Sequence, residues 1–221
     1  MTLMFSVEGL GATGKSTLIR DLSNYGLHVI SEISEEFPET NEIQVFSSSP
    51  IMSREVNQWF LDKELKRFNL AKEFFPIAIF DRGLYSQIAY NFAKDSLYNT
   101  AELESLFFKL DKLENQKMIS FPLMIYLAAP VEYSMDRMKE RNKNTERKRI
   151  ADRSPGYTYE FFELIRVAYD KISEVLGEKH LKLEIPKENN IIKKVNEWIS
   201  DRSKLINIVN LEEIRRNLNV R

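Results

Sequence analysis

Gly9-Leu10-Gly11-Ala12-Thr13-Gly14-Lys15-Ser16 is the stretch on which the fold turns. It reads G-x-x-x-x-G-K-S, the pattern of a phosphate-binding P-loop. Its flanks suit that reading. Thr2-Leu3-Met4-Phe5-Ser6-Val7 is apolar and strand-like, and Ser16-Thr17-Leu18-Ile19-Arg20-Asp21-Leu22 reads as the start of a helix. Glycines let backbone N–H groups turn inward around phosphate oxygens without a Cβ clash. The helix N-terminus adds free donors and the positive end of its dipole. Gly9, Gly11, Ala12, Thr13, Gly14, Lys15, Ser16 and Thr17 are therefore expected to hold a nucleoside triphosphate. Lys15 would reach the β- and γ-phosphates, and the Ser16 hydroxyl would ligate Mg²⁺. The competing reading is a glycine-rich turn that happens to precede a lysine. The chain has only 7 glycines, and Gly9, Gly11 and Gly14 fall inside this one loop, which argues against chance.

Outward from the loop, apolar runs alternate with amphipathic stretches. Strands are expected at Leu3–Val7, Leu27–Ile30, Ile77–Phe80, Leu123–Ala128 and Leu181–Ile185. Helices are expected at Ser16–Asn24, Pro50–Phe75, Ser86–Lys94, Ala101–Asn115, Val131–Glu140, Tyr159–Leu176 and Asn190–Ser200. This alternation predicts right-handed crossovers and a three-layer α/β domain, with a mostly parallel five-stranded sheet between helices. The domain is expected over residues 1–200. Residues 201–221 are expected to form an appendage, helical around Leu211–Leu218.

Composition bounds the class. The chain has 221 residues, enough to bury a full core, with 43% hydrophobic and 29% charged residues. A net charge of −1 gives no global basic field to draw it onto a nucleic-acid polymer. The absence of cysteine excludes disulfides, thiolate nucleophiles and zinc–thiolate sites. No apolar run approaches the ~20 residues that span a bilayer. No signal peptide is evident at the N-terminus. A cytoplasmic protein without membrane partners is expected.

Ligands of such sheets bind beyond the carboxyl ends of the strands. After the third strand comes Asp81-Arg82-Gly83, the Walker-B arrangement. Asp81 would bind Mg²⁺ or its water shell, and Arg82 offers a planar fork to a phosphate or substrate group. A strand-capping ion pair is the alternative. After the second strand, Glu32 leaves the strand directly, where it could take a proton from a substrate hydroxyl or bind a sugar hydroxyl. A solvated acidic loop is the alternative there. Between Asp136 and Arg153 arginines are dense: Arg137, Arg141, Arg147, Arg149 and Arg153. Phosphoryl transfer needs such charge on a lid, expected at about 137–156, and Arg137 and Arg141 share a helix face. A solvated helix face and an RNA-binding strip are the other readings; the interleaved Asp136, Glu140, Glu146 and Asp152 disfavour the strip. The aromatics of Pro50–Phe75 (Trp59, Phe60, Phe68, Phe74 and Phe75) are expected mainly in the core, with stacking of one or two on an acceptor's ring as the alternative. His28 and His180 carry no partner motif and read as structural.

These residues resemble a family. Glu8-Gly9 before a loop ending in Gly14-Lys15-Ser16-Thr17 is similar to the start of thymidylate kinases and deoxynucleoside kinases. Asp81-Arg82-Gly83-Leu84-Tyr85-Ser86-Gln87-Ile88-Ala89-Tyr90 resembles the D-R-x-x-x-S-x-x-A-Y stretch of thymidylate kinases. Tyr126-Leu127, Pro130-Val131-Glu132 and Arg137 resemble the run into their lid. Phe161-Phe162, Arg166 and Tyr169 resemble the stretch after it. The resemblance runs in order from Leu3 to about Trp198. It implies a P-loop kinase fold and an ATP- and Mg²⁺-dependent phosphotransferase acting on a nucleoside or nucleoside monophosphate. Lys15, Asp81, Arg82, Glu32, Arg137 and Arg141 would carry the chemistry, and relatives are often homodimers. Three positions depart from thymidylate kinases. Ser31-Glu32-Ile33-Ser34 replaces their R-E-P-G-G-type turn, Asp62-Lys63-Glu64-Leu65-Lys66-Arg67 stands near their D-R-x-x-H stretch, and Ala128 stands where their strand often ends in Asp. Glu32 instead resembles the glutamate that serves the acceptor in deoxynucleoside kinases and the nicotinamide-riboside-kinase-like group. Two other classes stay open: a kinase for a non-nucleoside alcohol and a regulatory ATP-binding module. A GTPase is excluded by the lack of N-K-x-D and D-x-x-G, and a transporter ATPase by the lack of an L-S-G-G-Q-like signature.

Overall fold

The computed structural model describes residues 2–33, 50–100, 102–143, 158–202 and 209–220. The described strands are β1 (Leu3–Gly9), β2 (His28–Ile30), β3 (Ile77–Asp81), β4 (Leu123–Ala128) and β5 (His180–Glu184). They form one sheet in the order β2-β3-β1-β4-β5, and every neighbouring pair is parallel. Parallel neighbours cannot be joined by tight hairpins, so the chain returns between them through helices. These are α1 (Lys15–Asn24), α2 (Pro50–Phe74), α3 (Leu84–Tyr98), α4 (Glu102–Asn115), α5 (Val131–Lys143), α6 (Tyr159–Leu176), α7 (Ile191–Arg202) and α8 (Leu211–Asn217).

Successive strand side chains face opposite sides, so an apolar strand buried on both faces feeds two cores. Met4, Phe80, Met124 and Tyr126 face one of them, with α3, α4, α6 and α8. Phe5, Val7, Ile79, Ile125 and Leu127 face the other, with α1 and α7. This is the three-layer arrangement expected from the alternation. Arg147, Arg149 and Arg153, expected in a lid, lie outside the described residues.

Several boundaries move, and each shift has a local cause. β1 extends past Val7 through Glu8 and Gly9, because both still pair with β4, opposite Tyr126 and Leu127. α3 begins at Leu84 rather than Ser86, directly after the β3 turn, and ends at Asn99 in the left-handed conformation with φ 50°. The Asp95 carboxylate then accepts from the backbone N–H groups of Glu102 and Leu103, at 3.1 and 2.7 Å, and caps α4. α6 starts where Thr158 accepts from the Phe161 N–H. On α2, Phe68 is buried and packs on Phe80 with ring centroids 5.1 Å apart. Phe74 is a correction to the core expectation: it is 59% exposed, on the outer side of the last turn. His28 stacks on Phe75.

α8 lies against α4 and α6. Val209, Leu211, Ile214 and Leu218 are buried in the same core as the α3 and α6 side chains. Asn210 caps the helix by accepting from Glu213 N–H, and Asn217 donates to the Lys171 carbonyl of α6. No described helix is long and apolar enough to cross a membrane.

Candidate active site

β1 delivers the chain into the loop through Gly9, whose φ is 135°. A Cβ there would lie 2.5 Å from the Leu127 carbonyl oxygen of β4, so this close approach requires glycine. Ala12 and Gly14 also have positive φ, 55° and 99°, which curls the loop back onto the start of α1. The buried Thr13 hydroxyl donates to the Leu10 carbonyl at 3.0 Å, and Ser134 of α5 donates to the Gly11 carbonyl. The loop is thus braced from inside and from α5. Ser16 and Thr17 stand exposed at the start of α1.

Lys15 is buried, and its ammonium donates to the carbonyls of Gly9 (3.1 Å) and Leu10. Burial and the neighbouring Arg82 guanidinium bring its pKa down to about 7, against the pull of Glu32, Asp81 and Glu8. A phosphate in the loop would offer this cation acceptors stronger than its own backbone carbonyls.

Asp81 ends β3 beside Val7 of β1. Burial, and then the neighbouring Glu32 carboxylate, raise its pKa. Its Oδ1 is buried without a hydrogen-bond partner among the described residues. Hard oxygen donors suit Mg²⁺. An orphaned carboxylate oxygen and a hydroxyl at the helix start fit that ion, so Asp81 and Ser16 are the residues that would hold it. No group of three or more His, Cys, Asp or Glu side chains able to hold a metal occurs among the described residues.

Arg82 follows with φ 57°, a left-handed turn that swings its side chain back across the strand ends. Its Nε lies 2.9 Å from Glu32 Oε1, and its guanidinium donates to the Gly9 carbonyl at 3.0 Å. It also lies over the Tyr90 ring at 6.0 Å. The structure therefore gathers Lys15, Asp81, Arg82 and Glu32 at the ends of β1, β2 and β3. The two arginines expected at the start of a lid behave differently. Arg137 is exposed and turned onto its own helix, donating to Tyr133 OH at 2.8 Å. Arg141 is partly buried on the last turns of α5.

Other groups complete the site; they stand within the stretches set against the family, which gave them no role. Arg67 of α2 donates to the carbonyls of Ile30, Asp81 and Arg82, at 3.2, 3.0 and 3.0 Å. It thereby ties the ends of β2 and β3 together while pairing with Glu64 at 2.7 Å. Burial pushes the Glu64 carboxyl up to about 7, against the pull of Arg67. Glu8, wholly buried in β1, accepts from Ser86 of α3 at 2.5 Å and from Tyr169 of α6 at 3.3 Å. A carboxylate inside an apolar strand was the available signal for Glu8. Arg67 stood in the stretch set against D-R-x-x-H, but nothing there marked its role, because its acceptors are backbone atoms brought by the fold.

The model of the deoxynucleoside kinase family matches residues 5–200. The chain belongs to the deoxynucleoside kinase family. It is accordingly a phosphotransferase of the nucleoside kinase class. Among solved structures, this kinase is similar to the deoxyadenosine kinase of M. mycoides determined with the products dCMP and a flexible dCDP. The TM-score is 0.66 at 18% identity, over 92% of this chain and 100% of that one. It is also similar to the thymidylate kinase of Candida albicans, with a TM-score of 0.62 at 17% identity over 94% and 96% of the two chains. At such identities these likenesses establish the fold. No curated protein sequence matches the kinase.

Proposed function

We propose that this kinase transfers the γ-phosphoryl group of ATP, with Mg²⁺, to a hydroxyl of a nucleoside. The observation that carries the reading is the Arg82–Glu32 pair at 2.9 Å beside the P-loop, with Arg82 also on the Gly9 carbonyl. A hydroxyl acceptor needs a base and a phosphate acceptor does not, so a glutamate at this mouth favours the nucleoside over its monophosphate. Family membership supports the nucleoside class, and the dCMP product in the M. mycoides deoxyadenosine kinase supports a deoxynucleoside.

In this reading the loop amides and Lys15 hold the donor phosphates. Ser16 and Asp81 would hold Mg²⁺, which would supply positive charge against those phosphates. Glu32 takes the proton of the acceptor hydroxyl as the hydroxyl oxygen bonds to the γ-phosphorus and the bond from that phosphorus to the β-phosphate oxygen breaks, releasing ADP. Arg82 fixes the acceptor, and the arginines of the lid segment, Arg137 and Arg141 among them, offset the negative charge of the transferring group. A screen of ATP consumption across nucleosides, deoxynucleosides and their monophosphates tests this. Turnover with a deoxynucleoside, lost in Lys15→Ala while the melting curve stays cooperative, supports the reading. Turnover with monophosphates alone moves the acceptor class. ATP binding with every acceptor silent overturns it.

A further inference from the structure

Glu8, Ser86 and Tyr169 meet in the interior behind Arg82, each from a different element. Glu8 is in β1 and enters the P-loop one residue later. Ser86 is in the first turns of α3, four residues after Arg82. Tyr169 is on α6, the helix that follows the lid segment. Tyr169 is fully buried, and the Ser86 side chain is nearly so. With Glu8 ionised, the shortest contact sets the assignment of protons. Ser86 has a single hydroxyl hydrogen, and Glu8 Oε2 lies 2.5 Å away, so that hydrogen points to the carboxylate. Ser86 Oγ is then left as an acceptor. It faces Tyr169 OH at 2.8 Å and an Arg82 guanidinium nitrogen at 3.5 Å, and both of these can donate. Tyr169 OH also lies 3.3 Å from Glu8 Oε2. The ring of Tyr169 is held by Tyr126 of β4, with centroids 5.3 Å apart. Arg82 meanwhile keeps its other contacts with the Gly9 carbonyl and Glu32.

We propose that Glu8, Ser86 and Tyr169 are positioning residues for Arg82, forming a buried hydrogen-bond unit that ties α6 to the guanidinium. The inference rests on the nucleoside kinase reading for what Arg82 does, and on the contacts above for how it is held. A buried polar group without partners is costly, so a carboxylate near the end of the buried strand β1 needs a compensating task. Its partners here are two hydroxyls: Ser86, which also lies beside the arginine, and Tyr169, which reaches the arginine through Ser86. Burial raises the Glu8 pKa, while Ser86, Arg82, Ser6 and Lys15 pull it down. The carboxylate thus depends on the groups it orients. Because Tyr169 belongs to the helix leaving the lid segment, the same unit connects the placement of that helix to the acceptor side of the site.

The test uses the full chain and three variants that remove little volume: Tyr169→Phe, Ser86→Ala and Glu8→Gln. Two readouts are taken together. One is the hydrogen-exchange rate of the Arg82 Nε–H in ¹⁵N spectra of the ligand-free protein, assigned with Arg82→Lys. The other is kcat and KM for ATP and for the accepted nucleoside. In Tyr169→Phe the Arg82 exchange rate should rise about tenfold, kcat should fall by about tenfold, and KM for ATP should stay within about twofold, since misplacing one fixed group costs rate rather than donor binding. Glu8→Gln combined with Tyr169→Phe should lose little more kcat than Glu8→Gln alone, because members of one unit are non-additive. Unchanged Arg82 exchange in Tyr169→Phe and Ser86→Ala overturns the proposal, as do strictly additive losses of kcat. Should Glu8→Gln fail to fold, the other two variants decide the matter. Should the wild-type chain phosphorylate no nucleoside, the nucleoside-acceptor reading falls, and the Arg82 exchange alone decides whether the unit holds that side chain.

Discussion

At the scale of single residues, the site is a set of charges held at short range in a dry place. Glu32 and Arg82 pair at 2.9 Å with only 19% and 15% of their side chains exposed. If Glu32 takes the proton of the acceptor, Glu32→Gln keeps the shape and removes the base. Its kcat should then fall about a hundredfold or more, in the range of general-base loss, with KM for ATP little changed. Steady-state kinetics on the accepted nucleoside checks this, and an undiminished kcat removes Glu32 from the mechanism. Glu64 makes a second prediction of known sign. Burial raises its pKa from 4.5 to about 7 in the folded chain. A raised folded value means that the native state binds more protons across that window, so the Glu64 contribution to stability is present at low pH and fades as pH climbs through about 7. Glu64→Gln has no such dependence. The melting temperature of the variant minus that of the wild type should therefore grow between pH 4.5 and about 7, then level off. A difference that is flat or shrinks over this range refutes the assignment.

At the scale of elements, the question is what keeps the strand ends in register where the catalytic groups leave them. The strand ladders end at Ile30 and Asp81, and past them the Arg82 N–H makes one more bond, to the Val7 carbonyl at 3.2 Å, while Glu32 lies two residues beyond Ile30. Arg67 of α2 spans this gap by donating to carbonyls on both strand ends. Its guanidinium also lies over the Phe80 ring at 4.9 Å, and Glu64 supplies the opposite charge. Arg67→Met retains the apolar stem and deletes every one of these donors, leaving the Glu64 carboxyl buried alone. It should destabilise the chain by about 3 kcal/mol, the cost of breaking a buried pair. Urea denaturation measures it. A loss below about 1 kcal/mol, the worth of an exposed ion pair, would mean that α2 and the sheet do not depend on this arginine.

At the scale of the whole molecule, the two cores are unequal. The one on the α3 and α6 side takes in α4 and the C-terminal α8, where Ile214 is fully buried. α8 has only 7 residues, too short to be stable as an isolated helix, so its order comes from docking. Ile214→Ala should cost about 3 kcal/mol, within the range for a large aliphatic side chain truncated in a packed core. Chemical denaturation should record that loss as a shift of midpoint in a single transition, which would show that α8 and the sheet unfold together. A separate early transition for the tail, with the main one unmoved, would refute the coupling.

The sequence by itself determined the features whose causes are local. The P-loop follows from glycines at fixed spacing, the parallel sheet from apolar runs alternating with amphipathic ones, and Asp81 from its place at the end of such a run. Family motifs in order named the class of chemistry. Tertiary structure alone decided which side chains share the site. Glu32 and Arg82 pair because β2 and β3 lie side by side, which neither stretch encodes on its own. Tyr169 reaches Glu8 across 161 residues of chain, and nothing near either residue names its partner. Arg67 binds carbonyls, atoms that every residue carries and no motif marks. Arg137 follows from its helix, where Tyr133 one turn away takes its guanidinium. Periodicity and spacing act over a few residues, whereas a buried polar contact is set by the packing of elements far apart in the chain.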